Sequence, residues 1–194
     1  MKEDILEQLA EDYLQVKGYF TKNNVKFRPE PSHPDYIKNQ DCVHSDIDVI
    51  GINPLLTGSE KVYAIGCKSW QKGFDVKYWT NIIKDNGKRS KREAWKYFRE
   101  LVQPKWNEAF IKKIYDITGQ DRFTYITAVT VLKGNKNVWE QNELFIRNMK
   151  ENPIKIVTFS EMIGEVTACM NTYVESSQLG RTLQLIKASR FDFK

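Results

Sequence analysis

Two strand-like segments joined by a short turn constrain the fold of this chain more than any other feature. Residues 45–52 (SDIDVIGI) and 61–69 (KVYAIGCKS) are rich in β-branched and other apolar side chains, and NPLLTGSE lies between them. The pattern predicts two strands. Each of them carries a charged side chain among apolar neighbours, Asp48 in the first and Lys68 in the second.

The alternation of a β-strand assigns these side chains to faces of the predicted sheet. In the first strand we expect Ile47 and Val49 to point to one side and Asp48 to the other. In the second strand Gly66 and Lys68 share a face. If the strands are neighbours, Asp48 and Lys68 can therefore converge on one patch of the sheet.

Further segments alternate between helical and strand patterns along the chain. Their order is α-β-β-α-α-β-α-β-α, which predicts an α/β fold with a mixed sheet flanked by helices, in one domain over residues 1–194. The remaining predicted elements are helices at 4–17 (Asp4 as N-cap, Gly18 as stop), from Pro104 to Gly119, at 139–149, after Ser160 and within 178–194, with strands at 122–134 and 154–159.

A basic region follows the second strand. We predict it as helical from about 75 to 103, with a break at Gly87, and interpret 75–120 as a basic helical insertion. Five of the nine residues in KDNGKRSKR are Lys or Arg, and the net charge of the chain is +5. This charge favours a polyanionic partner, and the candidate phosphate contacts are Lys72, Lys88, Arg89, Lys91 and Arg92. A solvated helix face is the alternative interpretation.

Several classes of protein are not indicated by the sequence. No apolar run reaches the roughly 18–20 residues of a membrane helix, and the acidic N-terminus is unlike a signal peptide, so we expect a cytoplasmic protein without a membrane partner. Three scattered cysteines fit free thiols, and Cys42 and His44 lack the second pair that a structural zinc site needs. Cys67 is expected in the core, which argues against a thiol nucleophile.

Two interpretations of Asp48 and Lys68 are open from the residues alone. Buried charges are costly unless they are paired or bind a ligand, so the two side chains can form a structural ion pair. Alternatively, Asp48 offers a hard oxygen to Mg²⁺ and Lys68 orients an attacking water, a combination suited to phosphodiester hydrolysis.

The Asp-bearing strand, the turn and a strand ending in Lys-Ser (DIDVIG and KSW) resemble the PD-(D/E)XK nuclease superfamily. The first helix, LEQLAEDYLQVKGYF, resembles the opening helix of Mrr-type restriction endonucleases and Holliday-junction resolvases, in which a glutamate, here Glu7, precedes a Gly-Tyr pair by eleven residues. IKIVTFSEMIGEV resembles the final core strand and helix of that fold. The resemblance implies a restriction-endonuclease-like sheet, DNA as substrate and Mg²⁺ or Mn²⁺ as cofactor.

The resemblance also implies roles for individual residues. Asp48 matches the metal-binding aspartate, Lys68 the catalytic lysine and Glu7 an accessory acid of the metal shell, while Gln71 lies near a glutamine of some members. Such folds often act as dimers, so a homodimer or a larger defence or repair complex is compatible with it, although no sequence feature fixes the oligomeric state.

One position departs from the family pattern. The second acidic ligand should lie two residues before the lysine, where this chain has Gly66. Three explanations are open: the chain is a natural pseudo-nuclease, its second ligand comes from another position, for which Asp46 and Glu7 are the nearest candidates, or a Glu has been changed to Gly. Because Mg²⁺ has few protein ligands, we expect impaired chemistry, and we expect Glu at position 66 to create or raise Mg²⁺-dependent DNA cleavage.

Three functional hypotheses follow from the sequence. The first is a DNA endonuclease-like protein that hydrolyses phosphodiesters with Mg²⁺ and is impaired by Gly66. The second is a catalytically inactive DNA-binding or assembly subunit on the same fold. The third is an unrelated α/β protein in which Asp48 and Lys68 form a structural pair.

Overall fold

A five-stranded mixed sheet lies at the centre of the fold, as seen in a computed structural model that describes residues 4–170 and 177–190. The strands are β1 (Phe20–Phe27), β2 (Ser45–Ile52), β3 (Val62–Lys68), β4 (Phe74–Asp75), β5 (Lys88–Arg89), β6 (Arg92–Glu93), β7 (Thr124–Val129), β8 (Leu132–Lys133) and β9 (Ile154–Thr158). The central sheet has the order β1-β2-β3-β7-β9, with antiparallel pairs from β1 to β3 and parallel pairs from β3 to β9. This confirms the predicted α/β fold with a mixed sheet.

Helices cover both faces of this sheet. They are α1 (Ile5–Val16), α2 (Lys38–Asp41), α3 (Val76–Lys84), α4 (Arg99–Val102), α5 (Pro104–Thr118), α6 (Asn137–Glu140), α7 (Glu143–Asn148), α8 (Phe159–Cys169) and α9 (Gln178–Ala188), with 3-10 turns at Gly58–Glu60 and Ala94–Tyr97. The parts of the predicted helices at 171–174 and 191–194 lie outside the described residues. Among the helices of residues 4–170 and 177–190, none has the length and apolar character needed to cross a bilayer.

Most helix ends follow from local sequence signals. Asp4 caps α1, as predicted, and its carboxylate accepts a hydrogen bond from the Leu6 amide at 2.8 Å. Helix α5 begins at Pro104 and ends at Gly119, which has the left-handed φ of 65°. The sequence suggested Ser160 as the start of the helix that is α8. Its N-cap is instead Thr158, which forms a reciprocal capping box with Glu161.

The basic region between α3 and α4 differs from the predicted helical segment that was to resume after a break at Gly87. After α3 the chain forms the β5–β6 hairpin, in which Ser90 and Lys91 have φ angles of 49° and 67°. Positive φ at both central residues is the geometry of a tight two-residue hairpin turn, and it is incompatible with a helix. The Arg89 guanidinium lies over the rings of Trp70 and Trp79, at 4.7 Å and 4.8 Å, and holds the hairpin in place.

Two apolar clusters pack on opposite faces of the sheet. One contains the buried residues of α1 and α8 together with Val49 and Ile65. The other contains Trp79 of α3 and Trp106 and Phe110 of α5. Residues 75–120 therefore supply a large part of one core cluster.

A buried ion pair lies beside the second cluster. The Lys105 Nζ is 2.6 Å from Asp41 Oδ2, and the Trp106 indole donates to Asp41 Oδ1 at 3.0 Å. Burial raises the pKa of Asp41, but hydrogen bonds from Lys105, the Ile37 amide and Trp106 outweigh it, so the pKa lies below its usual value. The charged pair therefore ties α2 to α5.

Asp41→Asn is expected to lower the free energy of unfolding by about 3–5 kcal/mol, because it leaves the buried Lys105 ammonium group without a counter-charge. Urea denaturation at neutral pH measures the loss. The exposed change Asp85→Asn is the control and is expected to stay within about 0.5 kcal/mol of wild type. Equal losses in the two variants would contradict a stabilising pair.

Candidate active site

The regular pairing of β2 with β3 joins residues 49–52 to residues 62–65 and does not include Asp48. Next to the last pair, Val49 and Ile65, the backbone amide of Cys67 donates to Asp48 Oδ2 at 2.5 Å. Contrary to the sequence prediction, Ile47 and Val49 lie in different core clusters. The alternation of the strand is therefore broken at Asp48, whose carboxylate takes the place of a ladder acceptor.

Lys68 lies at the last position of β3, on the same side of the sheet as Gly66. Its Nζ is 5.4 Å from the centre of the Phe98 ring, which precedes α4. The Cys67 amide, which directly precedes Lys68, donates to Asp48, so Asp48 and Lys68 lie near each other on neighbouring strands. Within the described part of the chain neither forms an ion pair within 4.0 Å, which disfavours a direct structural pair.

Burial is the largest influence on Asp48 and raises its pKa. The nearby Lys68 charge and the Cys67 amide oppose this effect, whereas the Glu100 and Asp46 charges add to it. The net result is a pKa above the usual value. Asp48 is therefore a carboxylate whose burial outweighs the opposing effects of the Lys68 charge and the Cys67 amide.

The first turn of α1 brings a second acid, Glu7, to the same end of the sheet. Asp4 links the two elements, because its Oδ1 accepts from the Leu6 amide and its Oδ2 accepts from the Ser69 hydroxyl at 2.6 Å. Ser69 directly follows Lys68, so this contact holds the start of the helix beside the end of β3. A cavity of about 230 Å³ between α1 and β1 includes Glu7 among its lining residues.

The pKa of Glu7 is raised from its usual value of 4.5 to about 7. Burial is the main cause, and the negative charges of Asp48, Asp4 and Asp46 add to it, while Lys68 acts in the opposite direction. Glu7, Asp48 and Lys68, which the sequence predicted as one site, thus influence one another electrostatically in the structure.

Glu100 on α4 is a further acid near Asp48 and Gly66, and the sequence did not indicate it. Its side chain is only 7% exposed, and the Tyr125 hydroxyl donates to its Oε1 at 2.5 Å. A Cβ atom at position 66 would lie 2.8 Å from the Tyr125 hydroxyl oxygen and 3.9 Å from Glu100 Oε1. Gly66 therefore leaves room for the tyrosine, and a carboxylate lies next to the place where the family pattern has its acid.

This packing changes the expectation for the Gly66→Glu substitution. A contact of 2.8 Å is too short for a real Cβ, and Tyr125 is fully buried, so its ring cannot simply move aside. An acid cannot be added at position 66 without displacing Tyr125. The single substitution is therefore a poor test of the missing ligand.

The basic residues that were predicted to contact DNA occupy different environments. Lys72, Lys88 and Lys91 are exposed. The guanidinium groups of Arg89, which is partly buried, and of Arg92, which is exposed, lie over aromatic rings, and Arg92 also donates to the Lys96 carbonyl at 3.1 Å. The two arginines therefore help to hold the hairpin, and the three lysines remain the better candidates for phosphate contacts.

The site offers oxygen donors for a hard cation. In the part of the chain that the structure describes, no three His, Cys, Asp or Glu side chains converge closely enough to enclose a metal ion. Mg²⁺ usually keeps several waters and uses one or two carboxylates together with substrate phosphates, so Asp48 and a neighbouring acid fit this donor set. Burial and adjacent acids raise the pKa of the Cys67 thiol well above its usual range, which fits the expectation that it is not a nucleophile.

Both histidines lie elsewhere. His33 and His44 line a separate cavity of about 490 Å³ beside α5, which includes neither Asp48 nor Lys68 among its lining residues. His33 Nε2 is 3.3 Å from a Glu108 carboxylate oxygen. Their arrangement gives no indication of a zinc site.

No protein-family model, curated protein or solved structure matches this chain. The resemblance to PD-(D/E)XK nucleases therefore remains a prediction from short motifs. The fold class is established by the sheet and its flanking helices. The chemistry has to be argued from the geometry at Asp48.

Gly66→Ala is expected to destabilise the protein by about 1–3 kcal/mol, because the new methyl group overlaps the Tyr125 hydroxyl. In the Tyr125→Phe background, which removes that oxygen, the same change is expected to cost at least about 1 kcal/mol less. Chemical denaturation of the four proteins measures this coupling. Gly164→Ala, where the helix has open space, is the control, and additive effects of Gly66→Ala and Tyr125→Phe would contradict the contact.

The raised pKa of Glu7 predicts a specific pH dependence. The folded state holds a proton on Glu7 up to about pH 7, whereas the unfolded chain releases it near 4.5, so stability falls as the pH rises through this window. Glu7→Gln is expected to reduce the loss of stability between pH 5 and pH 8, measured by urea denaturation. The exposed change Glu143→Gln serves as control, and an unchanged slope in Glu7→Gln would contradict the assignment.

Proposed function

We propose that this protein hydrolyses phosphodiester bonds in DNA with the help of a divalent cation, Mg²⁺ or Mn²⁺. The observation that carries the proposal is the position of Asp48, where the pairing of β2 and β3 ends, where the Lys68 charge acts on its carboxylate, and from where its own charge acts on Glu7. Two half-buried acids beside one lysine, without a direct ion pair between Asp48 and Lys68, favour a reactive site over a structural pair.

Each side chain has a part in this reaction. Asp48 would hold the cation, with Glu7 as an accessory acid of the metal shell, and the cation would supply positive charge for the phosphate and lower the pKa of a bound water. The Cys67 amide orients the Asp48 carboxylate. Lys68 is a compact positive charge near the Phe98 ring, and it would position the attacking water or stabilise charge on the phosphate.

The surroundings of the site support a polyanionic substrate. The chain carries a net charge of +5, and Lys72 lies four residues after Lys68 in an exposed turn. The β5–β6 hairpin adds the exposed Lys88 and Lys91, and it is anchored on Trp70 close to the end of β3. These lysines would contact phosphates and make DNA affinity sensitive to salt.

Asp48→Asn and Lys68→Ala are each expected to lower Mg²⁺-dependent cleavage of DNA by roughly 10²–10⁴-fold, because each removes a group placed at the reacting phosphate. Cleavage of a labelled plasmid or oligonucleotide in Mg²⁺ and in Mn²⁺ measures the rate. Lys155→Ala, at an exposed position on the edge strand β9, is the matched control and is expected to cut normally. Equal activity in all variants would contradict the proposed site.

A second candidate function is a catalytically inactive DNA-binding or assembly subunit on the same fold. Gly66 favours it, since the residue at this position carries no acid. Salt-dependent DNA binding without cleavage in either metal would support this alternative, and Lys88→Ala and Lys91→Ala should then each reduce the salt slope by about one. In both cases we propose a cytoplasmic protein that acts as a homodimer or within a larger defence or repair complex.

A further inference from the structure

Glu100 is the most deeply buried acid close to the proposed site. It lies on the short helix α4 with 7% of its surface exposed, and a buried carboxylate is costly unless it is paired or bound to a cation. Its side chain accepts one hydrogen bond, from Tyr125 to Oε1. Among the described residues no donor reaches its Oε2 and no basic group forms an ion pair with it.

The neighbouring basic residue, Arg99, interacts with Glu100 through its charge but forms no ion pair with it among the described residues. Arg99 directs its guanidinium over the Trp106 ring, 4.5 Å from the ring centre, and its buried Nε has no hydrogen-bond partner among the described residues. The Tyr125 hydroxyl cannot neutralise Glu100 by giving up its proton, because burial and the adjacent carboxylate raise the pKa of the tyrosine well above its usual range. Glu100 is thus a largely buried acid that has one neutral hydrogen-bond donor and the Arg99 charge nearby, without an ion pair among the described residues.

The position of Glu100 relative to β3 is the second observation. Its Oε1 lies 3.9 Å from where a Cβ at position 66 would be, and its charge acts on Asp48. A side chain from α4 therefore reaches the space that an acid on β3 would fill. Tyr125 on β7 occupies the rest of this space and at the same time fixes the carboxylate.

We infer that Glu100 supplies the second metal-facing carboxylate of the site, from α4 in place of position 66 on β3, with Tyr125 as its positioning residue. This inference rests on the proposed function, and it removes the need to regard the chain as impaired. Gly66 is then required by the arrangement, because any side chain there would displace Tyr125 and with it Glu100.

Direct Mn²⁺ binding tests the inference without relying on activity. The loss of the free Mn²⁺ electron paramagnetic resonance signal is titrated with wild type, Glu100→Gln and the exposed control Glu143→Gln. We expect Glu100→Gln to weaken Mn²⁺ binding by at least roughly 10–100-fold and Glu143→Gln to bind as wild type does. Thermal denaturation without metal verifies that the variants are folded.

Relocating the acid provides a second test. In the Glu100→Ala/Tyr125→Phe double variant the acid and the hydroxyl are both removed, and Mn²⁺ binding should be weak. Adding Gly66→Glu to this double variant places an acid on β3 in the space that has been vacated, and we expect it to restore Mn²⁺ binding at least about tenfold. Failure of this rescue in a folded triple variant would overturn the assignment of the two positions to one ligand site.

The outcomes separate the inference from the proposed function. If wild type binds Mn²⁺ and cuts DNA while Glu100→Gln does both equally well, the inference is overturned and the proposed function stands. If wild type neither binds Mn²⁺ nor cuts DNA, the proposed function fails and the inference fails with it. Weakened Mn²⁺ binding in Glu100→Gln together with rescue by Gly66→Glu supports both.

Discussion

The hydrogen bond from the Cys67 amide to the Asp48 carboxylate is the interaction on which the candidate site depends. It replaces a ladder bond where β2 and β3 stop pairing, so an acid can stand inside the sheet without leaving the Cys67 amide unsatisfied. The same bond orients the carboxylate beside Lys68. One contact therefore ends the strand pairing and creates the polar edge to which α1 and α4 bring Glu7 and Glu100.

Three partly or fully buried acids lie at this edge. The Asp48 charge acts on Glu7 and the Glu100 charge acts on Asp48, and Lys68 opposes these effects at Glu7 and Asp48. Burial makes each negative charge more costly than it would be in water. A bound cation would stabilise such an arrangement, which would link the cost in folding stability to the proposed activity.

Local sequence signals were sufficient for most of the fold and for part of the site. Asp48, Lys68 and Glu7 could be found because each belongs to a short motif within one element. Glu100 could not, because its place beside Gly66 depends on how α4 packs against β7, far away in the sequence. The break at Asp48 was not predicted either. Asn24, opposite Asp48 on β1, has a left-handed φ of 52°, and a left-handed residue that is not glycine is difficult to recognise from the sequence. The Ser90–Lys91 turn was missed for the same reason.

The stack of Trp70, Trp79 and Arg89 has a mechanical consequence. The two indole rings are 4.7 Å apart and the guanidinium lies over both, while Trp70 is only two residues from Lys68 along the chain. A displacement of the hairpin would therefore change the packing of Trp70 and, through it, the end of the strand that carries Lys68. Because indole emission responds to its surroundings, loss of the Arg89 contact with Trp70 and Trp79 would change the intrinsic fluorescence of the protein.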